Sequence, residues 1–390
     1  MKQIAAALTA LLVIASVTPA GVAASGPAEQ EAEAYSGAHV SFEVENSAMT
    51  DYAVDGDVVA ETVAVESQSD HESRTGVDAG ADVELSTVTG VAGAETSLAA
   101  QSSTRASVDV GGSAEMTAHD SEHGVLVVDA GGESQYVEVG LASDAEAEQE
   151  SDSRVAVTTA NGSETAFVVV GEGEVTTNEN GNVTASLGDD AKLVTRSYDE
   201  RGEDDERTEA FIANGTATAE VYLTERDGEA VADTIEYGQD TAVEVTERSE
   251  SEVRMTAERA TEEGTVVIAS VSDAALAASD SLTVTVDGEA AAEASSYAEL
   301  RNAAEGGDSS AYAVRQSGSA EASADVLVAV NHFSEREIVV ADDGASEETT
   351  TEGGDDESDG ETSDGGGQPG FGVTAALAAL LSLAAARIRG

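Results

Sequence analysis

Between His39 and Val340 apolar residues recur at every second position. Turn pairs containing glycine interrupt them at intervals of roughly 8–12 residues, the spacing that sandwiches and barrels require. In His39–Glu45, Val40, Phe42 and Val44 share one face, the period of a strand with one side buried. Asp55-Gly56, Asn161-Gly162, Asn180-Gly181, Asn214-Gly215, Asp227-Gly228 and Asp287-Gly288 each fall between two such runs. These pairs supply the positive φ angles of a tight hairpin turn. Gly131-Gly132 is placed to join Gly124–Ala130 to Ser134–Val139 in the same way. The fold class this predicts is mainly β: antiparallel hairpins forming one or two sandwich- or barrel-like domains.

One stretch of the body reads as a helix, Ser295–Glu305. Ser296 and Glu299 form a capping box, Tyr297, Leu300 and Ala304 make a face, and Gly306-Gly307 ends it. Ser67–Ala81 reads as a polar turn region, Val83–Thr89 as a weak strand and Asp199–Arg207 as a charged loop. Glu209–Ala213 reads as a strand entering the Asn214-Gly215 turn. The acidic stretch Leu141–Asp152 fits either a linker or an edge strand. A boundary placed there divides the body into β domains at 38–142 and 153–340.

The ends are of different material. Met1-Lys2, the apolar run Ile4–Val17, Pro19 and the small residues Val22-Ala23-Ala24 have the three parts of a secretory signal peptide over residues 1–24. Cleavage is expected between Ala24 and Ser25, followed by an acidic leader at 25–37. Residues 341–368 are rich in Asp, Glu and Gly with no base, so charge and glycine predict an extended, disordered spacer. After it come Pro369-Gly370-Phe371, an apolar run from Val373 to Ala386, and Arg387 and Arg389. That run favours a helix, yet it is shorter than the roughly 20 residues that cross a bilayer unaided. The terminal arginines favour the cytoplasmic side.

Motif, apolar helix and basic tip together resemble the PGF-CTERM sorting signal of archaeal surface proteins. The resemblance rests on Pro369, Gly370 and Phe371, on the apolar run and on the terminal arginines, and covers residues 369–390. It implies processing by an archaeosortase-type enzyme that removes the segment, a lipid anchor in its place, and residence on the outer face of the cell membrane. The other reading is a retained single-span anchor; both tether the body outside the cell.

Charge sharpens this expectation. The chain holds 78 acidic residues against 17 basic ones. All the acids but only 14 of the bases lie within 25–368, a net charge of −64 there. Lys192 is the one lysine of that stretch. In dilute salt such a chain repels itself. In concentrated salt the screening length falls to about 3 Å at 1 M, and the Val-rich strands can fold. Acid excess, scarce lysine and a core of small Ala and Val resemble extremely halophilic proteins. Nucleic acid is excluded as a partner by the negative field; diffuse binding of cations is expected. The absence of cysteine excludes disulfides, thiolate metal sites and a cysteine nucleophile.

Few residues carry chemistry. Asn161, Asn182 and Asn214 each begin an Asn-x-Ser/Thr sequon and are glycosylation candidates; two are also turn residues. His119 and His123 are the histidine pair with ligand-like spacing, but strands flank them, so a polar turn is the better reading and no metal site is expected. Asn178–Asn182 has alternating oxygen side chains before a glycine but lacks the glutamate of a calcium loop. No nucleophile elbow, zinc-protease motif or phosphate loop is present in the sequence. No cofactor and no enzyme activity are therefore expected. The expectation is a cell-surface protein with a structural or interaction role, within or beside an S-layer whose glycoprotein is then a partner. The alternatives are a tethered extracellular enzyme such as a hydrolase, or a solute-binding surface protein.

Overall fold

The computed structural model describes residues 33–342, apart from 46, 76–84, 227–228, 250, 273–281, 317–322 and 334. The signal segment with Ala24 and Ser25, the acidic spacer and Pro369-Gly370-Phe371 lie outside the described residues.

Backbone ladders gather the strands into four sheets. The first runs, edge to edge, Glu33–Ser36, Val40–Glu45, Ala48–Val54, Asp57–Ser67, Gln135–Gly140, Val183–Leu187, Gly173–Thr177. The second runs Glu146–Ser151, Arg154–Thr158, Glu164–Val170, Lys192–Tyr198, Val125–Asp129, Glu115–His119, Arg105–Val110, Thr96–Gln101. The third runs Glu229–Glu236, Ala217–Arg226, Glu263–Ser272, Ser323–His332, Ala311–Gln316, Ala292–Glu293. The fourth runs Thr241–Arg248, Glu252–Arg259, Glu335–Asp342, Leu282–Val286, Glu289–Ala290. The mainly-β, antiparallel expectation holds, and among the described residues no sheet closes into a barrel. Two pairings are parallel: Ala217–Arg226 with Glu263–Ser272, and Ala292–Glu293 with Ala311–Gln316.

Side-chain alternation stacks these sheets into layers. Leu126 and Val128 enter the core between the first and second sheets, with Val63, Val137 and Phe167. Val125 and Val127 point the other way, into a second core shared with Ile268 and Leu327 of the third sheet. Val267, Ala269, Val326 and Val328 enter a third core with Met255, Val284 and Ile338 of the fourth sheet. The two central sheets are thus buried on both faces. That is why Val125–Val128 and Val326–Val330 are continuous apolar runs rather than alternating ones. Two sandwiches are fused face to face.

Ala217–Arg226 pairs antiparallel with Glu229–Glu236, while the expected turn at Asp227-Gly228 lies outside the described residues. Four expected hairpins form, at Asp55-Gly56, Asn161-Gly162, Asn180-Gly181 and Asp287-Gly288. Gly131-Gly132 does not make one. Val125–Asp129 belongs to the second sheet and Gln135–Gly140 to the first, so this turn arches across the core. Gly131 holds φ +62° with the Ser113 carbonyl where a Cβ would stand, so the arch needs glycine there.

Two helices replace expected loops. Glu203–Ala213 is helical, not loop and strand. Four acids, Glu203 to Glu206, fill its first turn, where they meet the positive end of the helix dipole. The Asp205 carboxylate accepts Gly202 N at 2.8 Å, and Thr208, Phe211 and Ile212 form its buried face. Asn214 caps its C-terminus instead of turning a hairpin. Gln68–Thr75 is the second; Ser67 Oγ accepts Asp70 N at 3.2 Å at its start. The expected helix stands at Tyr297–Ala304, with Ser296 Oγ accepting Glu299 N at 3.3 Å.

Leu85–Thr87 forms a single 3-10 turn within the expected weak strand, and Thr96–Gln101 adds an edge strand that the sequence pattern did not signal. Leu141–Asp152 supplies the edge strand Glu146–Ser151. Strands on both sides of it in sequence belong to the same two sheets; the chain passes to the second sandwich through Glu203–Ala213.

Candidate functional site

The layer between the sandwiches is partly polar, and the strand period shows why. Along Lys192–Tyr198, Lys192, Val194, Arg196 and Tyr198 alternate toward the third sheet, so two cations point into that layer. The third sheet answers from three adjacent strands with Glu220, Ser270 and Asp325. Arg196 and Glu220 are 1% and 0% exposed and form a close ion pair. Arg196 also donates to the hydroxyls of Tyr237 at 2.9 Å and Tyr198 at 3.2 Å. Tyr237 in turn donates to Glu220 at 2.6 Å. Burial opposes ionisation of Glu220, but Arg196, His123 and Tyr237 outweigh it and hold the carboxyl below its usual value. Burial pushes Asp325 upward; His123 opposes this and Glu220 reinforces it. Ser270 Oγ donates to Asp325 at 2.6 Å and lies 3.3 Å from the Glu220 carboxylate.

The His119–His123 segment belongs to the same layer, as a polar turn. Asp120 is fully buried and accepts Ala38 N, His39 N and Val40 N at 2.8, 2.8 and 2.7 Å. Arg226 of the third sheet reaches it at 2.9 Å. One carboxylate therefore ties together the first, second and third sheets. His119 Nδ1 pairs with Asp233 Oδ2 at 2.9 Å. His123 Nδ1 faces the Ser197 carbonyl at 3.1 Å, and its Nε2 opens on a small cavity of about 20 Å³ beside Ser121 and Ser272. The two imidazoles line different cavities, and among the described residues no three side chains are grouped to hold a metal. Asn178 closes its own turn: its Oδ1 accepts Asn180 N and Asn182 N at 3.0 and 3.1 Å.

His119 lies in the wall of an open groove of about 980 Å³. The face of the second sheet that turns toward the third forms the floor, with Arg105, Thr117, Asp129 and Lys192; the strands around Asp233 and Glu247 form the far side. Arg105 is half-exposed and stands 3.6 Å from Asp233. Lys192 Nζ lies 3.4 Å from Asp129 and donates to the Glu236 carbonyl at 2.8 Å. Asp233 on Nδ1 favours the tautomer that leaves Nε2 of His119 as an acceptor. The groove can hold an extended polar ligand by hydrogen bonds and paired charges. Among the described residues no Phe, Tyr or Trp lines it, so it lacks a broad platform for stacking a sugar ring or a base.

Sequence reasoning missed the inter-sandwich network because Arg196, Glu220 and Asp325 sit far apart in the chain and each resembles a surface charge. The signal present was the placement of Arg196 on the same strand face as Val194 and Tyr198. Of the three sequon asparagines, Asn161 and Asn214 stand in exposed turns and Asn182 is half-buried at a strand start.

No protein-family model matches the chain, and no curated protein matches it. Among solved structures it is similar to a glycoside hydrolase family 81 protein from Clostridium thermocellum, at 10% identity and a TM-score of 0.34. The similarity covers 78% of this chain and 35% of that one, so the chain spans about a third of that protein's length. At that score the likeness carries no argument about chemistry.

Proposed function

We propose that this is an exported cell-surface protein, tethered outside the membrane at its C-terminus. In this reading it is adapted to concentrated salt and has a structural or interaction role, as part of an S-layer or as a binding module. The observation that carries the reading is how the cations are used. Of the 13 arginines between residues 25 and 368, 11 form ion pairs with carboxylates. The cations are spent within the fold, and the excess carboxylates face solvent. Such a body tolerates its own charge only where salt screens it. The signal segment and the Pro369-Gly370-Phe371 end supply the route outward and the anchor. The groove is the surface on which a polar partner would bind. Protease treatment of intact cells tests this: the body is digested while a cytoplasmic marker survives. Protection equal to the marker's would remove the reading.

A second reading, a tethered hydrolase, is favoured by the His119–Asp233 pair in the groove wall. It predicts a hydrolytic activity that His119→Gln abolishes.

A further inference from the structure

Resting on the reading that the chain is exported, we propose that its three sequons are not equivalent and that Asn214 is the glycan acceptor, whereas Asn182 is excluded by the fold. Transfer requires the Asn Nδ2 to attack the anomeric carbon of an activated glycosyl diphosphate. The new N–C bond forms as the C–O bond breaks; the electron pair leaves with the diphosphate and the amide gives up one proton. The acceptor therefore needs a reachable Nδ2 that no other group holds, with the Ser or Thr hydroxyl beside it.

Asn214 meets both needs. It is exposed just past the helix Glu203–Ala213, and Gly215 follows it at φ +71°. Its Oδ1 accepts Thr216 N at 3.1 Å and Thr216 Oγ1 at 2.6 Å. The amide oxygen is thereby fixed against the sequon threonine, and Nδ2 points away with no partner among the described residues. Asn214 also stands on the rim of an open cleft of about 360 Å³ with Asp190, Gln239, Asp240 and Arg259 on its walls. Those polar groups can accept and donate to the hydroxyls of the first sugar.

Asn182 meets neither. Its Nδ2 donates to Glu138 Oε1 at 3.1 Å and its Oδ1 accepts Leu141 N at 3.3 Å. Thr184 is fully buried in the strand Val183–Leu187, its hydroxyl turned to the Val88 carbonyl. Asn161 lies between the two. It is exposed, but Asp57 takes both its Nδ2, at 2.6 Å, and the Ser163 hydroxyl, at 2.8 Å. Its occupancy is below that of Asn214, and Asp57→Ala raises it.

Glycopeptide mass spectrometry on the full chain from its native cells tests the ordering. The expected result is sugar on the Asn214 peptide and none on the Asn182 peptide. Asn214→Gln removes that glycan from the intact mass, and Thr216→Ser retains it. Sugar on Asn182, or higher occupancy at Asn161 than at Asn214, overturns the proposal. An unmodified Asn214 in a chain that has lost residues 1–24 overturns it and leaves export standing. An unmodified chain that still begins at Met1 overturns both.

Discussion

Replacing Arg196 by Met should invert the pH dependence contributed by Glu220. In the native protein the Glu220 carboxyl is held below its ordinary value, with burial outweighed chiefly by Arg196. A group with a depressed folded pKa adds stability above its unfolded pKa, about 4.3 for Glu. That contribution is lost as pH falls through the folded value. Without Arg196, Glu220 keeps Tyr237 at 2.6 Å and Ser270 at 3.3 Å but no cation on hydrogen-bonding terms. Burial then dominates and raises its folded pKa above the unfolded one. The variant's term is present below about pH 4.3 and fades as pH rises. Removing one partner of a buried pair costs about 3–5 kcal/mol, and each unit of pKa shift is worth about 1.4 kcal/mol. The difference between native and Arg196→Met proteins should therefore grow from pH 4 to pH 8, reaching about 3–5 kcal/mol. Urea denaturation in 2 M NaCl at several pH values measures it. The pair is buried, so 4 M NaCl should leave the difference unchanged, whereas a surface pair would weaken. In the double variant Arg196→Met/Glu220→Gln at least half of the loss should return. A difference below about 1 kcal/mol at pH 8, or one independent of pH, would refute the account of this network.

Asp120→Ala removes the acceptor of three backbone N–H groups and the partner of Arg226. Removing one partner of a buried ion pair costs about 3–5 kcal/mol, so the loss by urea denaturation should be at least that large, with faster amide exchange at Val40. The hydrogen bond to Asp55 raises the His39 pKa above 6.5, against burial, with the Asp55 charge adding to it. Stability from this pair is full below about pH 6.5 and declines as pH rises through the folded value. NMR titration should show a raised His39 pKa that falls in Asp55→Asn. The mature body should keep its β circular dichroism in 3 M NaCl and lose it reversibly on dialysis to 0.1 M, where the screening length returns to about 10 Å.

Strand alternation and turn pairs were legible wherever contacts are local. Asn161-Gly162 and Asn180-Gly181 close two-stranded units whose partners adjoin in sequence. Gly131-Gly132 carries a similar local signal and does something else, because a turn records only that the chain reverses. Whether the next strand pairs beside the last or crosses the core depends on distant partners: Gln135–Gly140 lies between Asp57–Ser67 and Val183–Leu187. Glu203–Ala213 was hidden by its acids, which read as a loop until the helix dipole gives them a role. The polar layer was least legible. The polar turn that follows His119 is legible from its flanking strands, but Asp120 within it is the central anchor, and nothing near it in sequence names Arg226 as its partner. The groove brings together Arg105, His119, Lys192 and Asp233, which only the face-to-face fusion of two sandwiches makes neighbours.

The central claim is that the body works outside the cell, held by its processed end. The intact mass of the protein extracted from membranes of its native cells tests this most directly. The account predicts a chain beginning at Ser25, lacking the apolar end after Pro369-Gly370-Phe371, and heavier by a lipid and by sugar at Asn214. A mass equal to the unprocessed chain from Met1 to Gly390 would contradict it.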